Sequence, residues 1–415
     1  MAALVVLALP TLLWPSSRGA STATPTLAPG RTLRQSPEGD ASPPPTQGPP
    51  LFVSYAAAGG AANQLYGHIN ALAVGLNLTR AGLNITLVTN SAQSRKNSTL
   101  FRDALTQYDQ QPLDSMVDWA RMQVYWEPRG LRLQRAANTS QCVYRDLVNY
   151  KHRMNITQMD HYPAPLAFSM LREAVENGTT GPVTPPCVHL FLGNPIVLLN
   201  HPSSWPYQLP AVHGLFFPPD VQQAADEVLS AMTGLGHPSF FGLHLRLEDD
   251  YIKYAGLLKG KSPLSKQDPL GEYIRTMKAA NFTQSAPVYV ASGLFISKPP
   301  AEIKALEDRL RAEGVLGTML HKQQLLEPTR LAGFHTEQLA LIDLLVMLKA
   351  QVLVGDDASS FSAFAREYRA MQGIPKGTYF SVAEYPLPSP CREDEKCEDI
   401  NQYSFCPPAG ACALA

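Results

Sequence analysis

The chain has 415 residues, 45% of them apolar and 17% charged, with a formal net charge of -1. That length exceeds what one hydrophobic core usually organises, so two packed domains are the starting expectation. A near-neutral balance excludes the global basic field that marks binding to nucleic acid or anionic membrane, and it says nothing about the charge of a substrate.

Ala2 to Trp14 is a short apolar run followed by Pro15, Ser16, Ser17 and Arg18, then the small residues Gly19 and Ala20. It reads as a signal peptide over residues 1–20, being shorter than the roughly 17 to 25 residues of a spanning helix. A short uncleaved signal-anchor is the alternative. Residues 21–50 are rich in Pro, Ser, Thr and Gly and poor in large apolar side chains, so they form a stem or linker. Sequons at Asn77, Asn84, Asn97, Asn138, Asn155, Asn177 and Asn281 fit passage through the secretory lumen. So does an even cysteine count, with Cys142 and Cys187 in the body and Cys391, Cys397, Cys406 and Cys412 in the tail. The tail spacings lack the tight Cys-x-x-Cys pairs of common zinc sites.

Order begins at Leu51 to Tyr55, which has strand composition, followed by small residues from Ala56 to Ala62, a helical run from Gln64 to about Thr79 and a strand from Asn84 to Val88. This β-loop-α-β order predicts a doubly wound parallel sheet. Between about Asn90 and Pro218 the pattern supports only helices near Leu100–Trp119 and Pro163–Glu176. A second α/β series is clearer. It has helix Asp220–Met232, strand Phe240–Leu245, helix Leu270–Ala280, strand Pro287–Ala291 and helix Pro299–Glu313. Helix Thr336–Lys349, strand Gln351–Val354 and helix Ser360–Arg369 complete it. The expectation is an α/β chain with Rossmann-like domains at 51–215 and 216–385 facing a cleft, and a Cys-rich tail at 386–415.

Three clusters carry candidate chemistry. In the first loop, Gly59, Gly60, Ala61 and Ala62 precede Asn63 and Gln64 at the mouth of a helix. Small residues admit a ligand close to the backbone, and a helix N-terminus favours phosphate; a tight turn with Asn63 as N-cap is the bland alternative. The second cluster is the strand ending His244-Leu245-Arg246-Leu247-Glu248-Asp249-Asp250. Ligands of open α/β sheets bind beyond the carboxyl ends of strands, and an arginine fork there suits a diphosphate. The alternatives are an Arg246 paired with Glu248 or Asp250, or a divalent metal held by the three acids. The third cluster places Asp343 in an apolar helix and Ser359, Ser360 and Phe361 at the next helix start. A buried carboxylate needs partners: the ring N–H and amine of guanine would serve, as would a core arginine.

Taken together, Gly59 to Gln64, His244-Leu245-Arg246 and Asp343 through Ser360-Phe361 resemble the protein O-fucosyltransferase family, in the branch that modifies EGF-like repeats, with plant-like features such as Glu248. Ser359-Ser360-Phe361-x-Ala363-Phe364, Arg366-Glu367-x-x-Arg369 and Gln372-Gly373 form the densest stretch of similarity. Ala61 and Ala62 stand where the family's loop usually carries an aromatic residue and Gly. The resemblance implies a GT-B fold, inverting transfer from GDP-fucose to a protein or glycan acceptor, no obligatory cofactor or metal, and residence in the endoplasmic reticulum or Golgi lumen. It implies that Gly60, Ala61, Ala62 and Asn63 line the donor loop, and that His244, Leu245 and Arg246 contact the diphosphate. Asp343 would read guanine, and Ser360 and Phe361 would hold the phosphate and nucleoside side. Arg246 and Asn63 are the implied catalytic residues, and Glu248 is a candidate general base. Transfer of rhamnose from UDP-rhamnose to a polysaccharide, and a non-catalytic secreted binding protein, are the competing functions.

Overall fold

The computed structural model describes residues 47–57, 59–89, 91–95, 108–146, 186–192, 205–249, 251–252, 268–357 and 359–382. The signal segment, stem residues 21–46, the helix expected at 163–176, Asp250 and the four tail cysteines lie outside the described residues, whereas residues 47–50, expected in the stem, already belong to the first strand.

The first half opens with β1 (Gln47–Ser54), α1 (Ala61–Arg80) and β2 (Leu83–Val88). It continues through β3 (Ser91–Arg95), β4 (Tyr108–Pro112), α2 (Trp119–Trp126), β5 (Arg132–Gln134), β6 (Val143–Asp146), β7 (Val188–Phe191) and α3 (Trp205–His213). Its main sheet runs β5-β2-β1-β7-β6, every pair parallel. The second half comprises α4 (Pro219–Gly234), β8 (Phe241–His244), α5 (Pro269–Ala279), β9 (Pro287–Ala291), α6 (Pro300–Ala312) and β10 (Thr318–Leu320). It closes with α7 (Thr336–Met347), β11 (Leu353–Gly355), α8 (Ser360–Met371) and β12 (Tyr379–Ser381). These strands pair in the order β10-β9-β8-β11-β12, again all parallel. The protein is thus of the expected α/β, GT-B type, with two Rossmann-like parallel sheets.

Chain order and strand order together locate the ligand crevices. In the second sheet the chain runs outward from β8 to β9 and β10, then returns to lay β11 on the other side of β8. The topological switch point is therefore between β8 and β11, beyond His244 and Gly355, where helices diverge to opposite faces and leave a gap. The same reasoning puts the first sheet's switch point between β1 and β7.

Helix α1 is the centre of the molecule. Of its 20 residues, 17 are buried, which is why its sequence shows no polar face. It packs on α3, α7 and α8, so helices of the second half cover a helix of the first. One apolar cluster accordingly runs from Val53 and Leu72 through Val228 to Leu341 and Phe364. A second fills the other face of the second sheet, around Leu243, Val290 and Val354. Helix α1 stops at Gly82, whose φ of +88° lets its N–H turn back to the Thr79 carbonyl at 2.9 Å.

Two readings need correction. Of the helix expected across 100–119, residues 100–107 lie outside the described residues; Tyr108–Pro112 is a strand paired antiparallel with Ser91–Arg95, and an α-helix begins only at Trp119. Asp118 caps it by accepting the Arg121 N–H at 3.0 Å, which breaks the segment into two elements. The N-cap of α1 is Gly60; Asn63 lies inside the first turn. Cys142 and Cys187 form a disulfide beside the neighbouring strands β6 and β7.

Candidate active site

The carboxyl end of β8 delivers His244 and Arg246 to the switch point. His244 is 7% exposed, its Nδ1 2.6 Å from the Ser362 hydroxyl and its ring stacked on Phe361 at 4.4 Å between centroids. Burial, reinforced by the Arg246 charge, pushes its pKa down to about 3, so the ring is neutral at physiological pH. It therefore adds no second positive charge beside Arg246. Leu245 is 1% exposed, its N–H donates to Ala291 and its carbonyl accepts the Ser292 hydroxyl. Both main-chain groups have partners within the protein and the side chain is buried, so the side chain of Leu245 offers no group to a diphosphate.

Arg246 carries the local positive charge. Its guanidinium lies 2.7 Å from Glu248 Oε2 as an ion pair rather than an aligned hydrogen bond, and 5.1 Å from the centre of the Tyr251 ring. Its main-chain N–H donates to the Tyr273 hydroxyl at 3.1 Å. Glu248 is fixed from behind, since Oε1 accepts the Gly293 N–H at 2.6 Å. A Cβ at residue 293 would lie 2.7 Å from that oxygen, so a larger residue there would oblige the Glu248 carboxylate to shift. The pairing alternative for Arg246 is therefore present, but in a largely buried setting, with the Arg246 side chain 18% and that of Glu248 12% exposed. Asp249 turns away to Lys298 at 3.0 Å. Glu248 and Asp249 thus take separate partners rather than converging on one metal ion.

From β11 the chain enters α8 through Asp356 and Asp357. Asp356 is fully buried and accepts the Tyr251 hydroxyl at 2.6 Å, while Asp357 pairs with Arg366 at 2.5 Å and Tyr379 at 2.7 Å. Both acids are bound into the protein, and α8 itself begins with no acidic residue in its first turn and no side-chain cap on Ser359. Ser360 and Phe361 stand at that start, on the same side as His244 by virtue of the ring stack. Arg366 and Arg369, within the densest stretch of family resemblance, are structural. Arg369 is 3% exposed and donates to the carbonyls of Leu348 and Ala350 beyond the carboxyl end of α7.

The first loop is clamped from two sides. Gln64, fully buried, donates to the Gly59 and Gln93 carbonyls at 2.8 and 2.7 Å and accepts the Gln93 N–H at 3.0 Å, so this carboxamide holds the loop to β3. Ala61 donates its N–H to Oε2 of Glu337 at 2.6 Å, and Glu337 is fully buried in the first turn of α7. The phosphate site expected at this helix start is thus partly occupied by a carboxylate from the other half. Gly60 forms the cap, Ala61 and Ala62 are buried, and Asn63 presents a buried Oδ1 with no hydrogen-bond partner among the described residues.

Asp343 is satisfied without a ligand. It is 5% exposed, Oδ1 accepts the Tyr289 hydroxyl at 2.7 Å and Oδ2 meets the Lys322 ammonium in a buried ion pair. Burial raises its pKa and Lys322 opposes that rise. Both oxygens have protein partners, one of them a lysine where a core arginine was considered, so the core-partner alternative is present and a guanine contact would have to use the carboxylate's remaining lone pairs. Glu337, Gln93, Tyr251 and Lys322 are the site's supporting residues that sequence reading missed. Only Glu337 left a signal, as an acid in a helix's first turn.

Comparison with solved structures finds POFUT1 in complex with GDP-fucose, at 13% identity and a TM-score of 0.46 over 83% of this chain and 97% of that one. POFUT1 in complex with GDP follows, at 12% identity and 0.44 over 82% and 98%. A mutant of Arabidopsis thaliana FUT1 in complex with GDP matches at 13% and 0.35 over 78% and 70%. These likenesses are distant. No curated protein sequence matches the chain. The sequence profile of GDP-fucose protein O-fucosyltransferases matches residues 90–372, more than half of the chain, and the chain belongs to that family of glycosyltransferases.

Proposed function

We propose that the protein transfers fucose from GDP-fucose to a Ser or Thr hydroxyl of a secretory-pathway protein, with inversion at the sugar C1. The observation that carries this reading is the convergence, at the β8/β11 switch point, of neutral His244, the largely buried cation Arg246 and the uncapped start of α8. A diphosphate fits that set: Arg246 supplies the charge, His244 a neutral donor, and Ser360 with the free main-chain N–H groups of the first turn the remaining hydrogen bonds. Phe361, stacked on His244, gives the nucleoside an apolar wall.

In the reaction the bond from C1 to the β-phosphate oxygen breaks and its electron pair leaves on GDP, where Arg246 offsets the developing charge. The acceptor oxygen bonds C1 from the opposite face and releases its proton. Asn63, the remaining polar group of the first loop, orients donor and acceptor through its unpartnered Oδ1. Glu248 takes the acceptor proton only by leaving Arg246; held by Gly293, it serves first as the arginine's anchor. A cavity of about 400 Å³ beyond the carboxyl ends of β1, β2 and β7, bordered by Ser54, Thr89, Gln93 and Arg135, gives the acceptor room. The Cys142–Cys187 disulfide supports folding in an oxidising lumen.

The test is calorimetric titration of the purified protein with GDP and, separately, UDP in the presence of a chelator. Micromolar GDP binding that Arg246→Ala weakens supports the donor assignment. Preference for UDP, or no binding, refutes it.

A further inference from the structure

Helix α1 has no capping side chain and no acid of its own in the first turn. Its positive end, inside the protein, would be left without a counter-charge. The counter-charge comes from 276 residues away, as Glu337 Oε2 accepts the Ala61 N–H at 2.6 Å. Glu337 is itself 0% exposed, and a buried carboxylate is retained only where its hydrogen bonds are good. It stands in the first turn of α7, which is capped independently by His335 and Gln338 in a reciprocal box, so α7 does not need Glu337 for its own start.

The residue that gains from this contact is Asn63, two positions beyond Ala61 in the same turn. The Asn63 Oδ1 has no hydrogen-bond partner among the described residues, so that atom does not hold the side chain in place. Its placement depends on the backbone that carries it. That backbone is set on one side by Gln64 and Gln93 within the first half, and on the other by Glu337 from the second half. Arg246 and α8 also belong to the second half. We infer that Glu337 is a positioning residue for transfer: it fixes the first turn of α1, and with it Asn63, relative to the Arg246 side of the site. This deepens the fucosyl-transfer reading and rests on it. It also divides labour between two helix starts, since a carboxylate already bound at α1 disfavours a diphosphate there and leaves that ligand to α8.

A positioning role predicts a split between turnover and donor affinity. Glu337→Ala should lower kcat for GDP-fucose-dependent transfer by about tenfold to a hundredfold, the loss that misplacement of reacting groups produces. GDP affinity should stay within about twofold of wild type, because this residue is not placed among the diphosphate contacts. Glu337→Gln keeps an oxygen for the Ala61 N–H and should recover most of the rate, and it also guards against a misfolded alanine variant. Hydrogen exchange of the peptide spanning residues 59–66 should accelerate in Glu337→Ala and return toward wild type in Glu337→Gln. Unchanged kcat overturns the inference. So does a parallel loss of kcat and GDP affinity, which is general loosening, or tighter GDP binding, which makes Glu337 a competitor of the phosphate. If the wild-type protein shows no transfer, the functional reading fails on its own, and unchanged exchange in residues 59–66 then overturns the positioning role independently.

Discussion

Replacing Lys322 by Met tests whether Asp343 is a structural or a ligand-reading residue. The two side chains are 4% and 7% exposed and form an ion pair, with Tyr289 supplying the other hydrogen bond. Removing the lysine strands a buried carboxylate, a loss of about 3–5 kcal/mol by comparison with other broken buried pairs. At about 2.1 cal/mol/K of unfolding entropy per residue, a 415-residue chain unfolding as one unit loses about 1 °C of Tm per kcal/mol, so the expected fall is roughly 3–6 °C. The pH dependence fixes the sign. Burial already raises the Asp343 pKa and Lys322 holds it down, so without the lysine the folded carboxyl binds its proton more tightly. The folded state then holds more protons than the unfolded one above the unfolded carboxyl pKa, and stability falls as pH rises through that window. Lys322→Met should therefore cost more at pH 8 than at pH 5. Asp343→Asn should be destabilising for the complementary reason, a buried ammonium without its counter-ion. The double variant Lys322→Met/Asp343→Asn should cost less than the sum of the two single changes, because neither ion is left alone. Thermal and urea unfolding measure all of these, with GDP and UDP titrations on the same samples. If Asp343→Asn leaves unfolding unchanged and abolishes the preference for GDP, the carboxylate faces guanine and the structural reasoning is wrong.

Gly59→Ala should cost about 1–2 kcal/mol, because residue 59 sits at φ +93°. Its new Cβ would lie 3.0 Å from Asn63 Nδ2, so turnover should fall as well, read from Tm and initial rates together. Converting both Cys142 and Cys187 to Ser should lower stability by about 2–4 kcal/mol in calorimetry while leaving GDP affinity intact, since the bridge lies in the first half. His68 is fully buried and desolvation lowers its pKa from 6.5 to about 4. Between those values the unfolded chain binds a proton that the folded one refuses, so His68 contributes stability that is lost as pH falls from 6.5 toward 4. His68→Gln should flatten the urea midpoint against pH by up to about 1.4 kcal/mol per pH unit in that range.

What was legible depended on how local its cause is. The run Phe240 to Leu245 followed by Arg246 and Glu248 announced a strand ending in charge, and the strand at Phe241–His244 ends at the crevice. Strand Pro287–Ala291 and the helices near 220–232, 299–313 and 360–369 were readable for the same reason, as apolar periodicity with clear stops. Strands of three or four residues such as Arg132–Gln134 and Val188–Phe191 hold too few positions to display a period, and they form because β1 and β2 offer them partners. At the site, Asp343 read correctly as a buried acid, but its partner Lys322 begins a short Lys-Gln-Gln-Leu turn that looks like loop. The link between Ala61 and Glu337 spans 276 residues and exists only through packing of α1 on α7, so no local pattern encodes it.

The arrangement of helix starts explains how a nearly neutral protein can treat two anions differently. Helices α1 and α8 both begin without a side-chain cap and without an acid in their first turn, so each offers the same main-chain donors and the same dipole. They differ in what the fold brings to them. At α1 the buried Glu337 carboxylate takes the Ala61 N–H, and a second anion would meet like charge in a water-poor setting, where repulsion is strong. At α8 the neighbouring acids are withdrawn, Asp356 to Tyr251 and Asp357 to Arg366 and Tyr379, while Arg246 and a neutral His244 stand alongside. If the diphosphate binds at α8 as proposed, charge selectivity would follow from the pairing of acids with buried hydroxyls and cations, not from an excess of basic residues. It should survive the loss of any one exposed lysine or arginine and fail when Arg246 is made neutral.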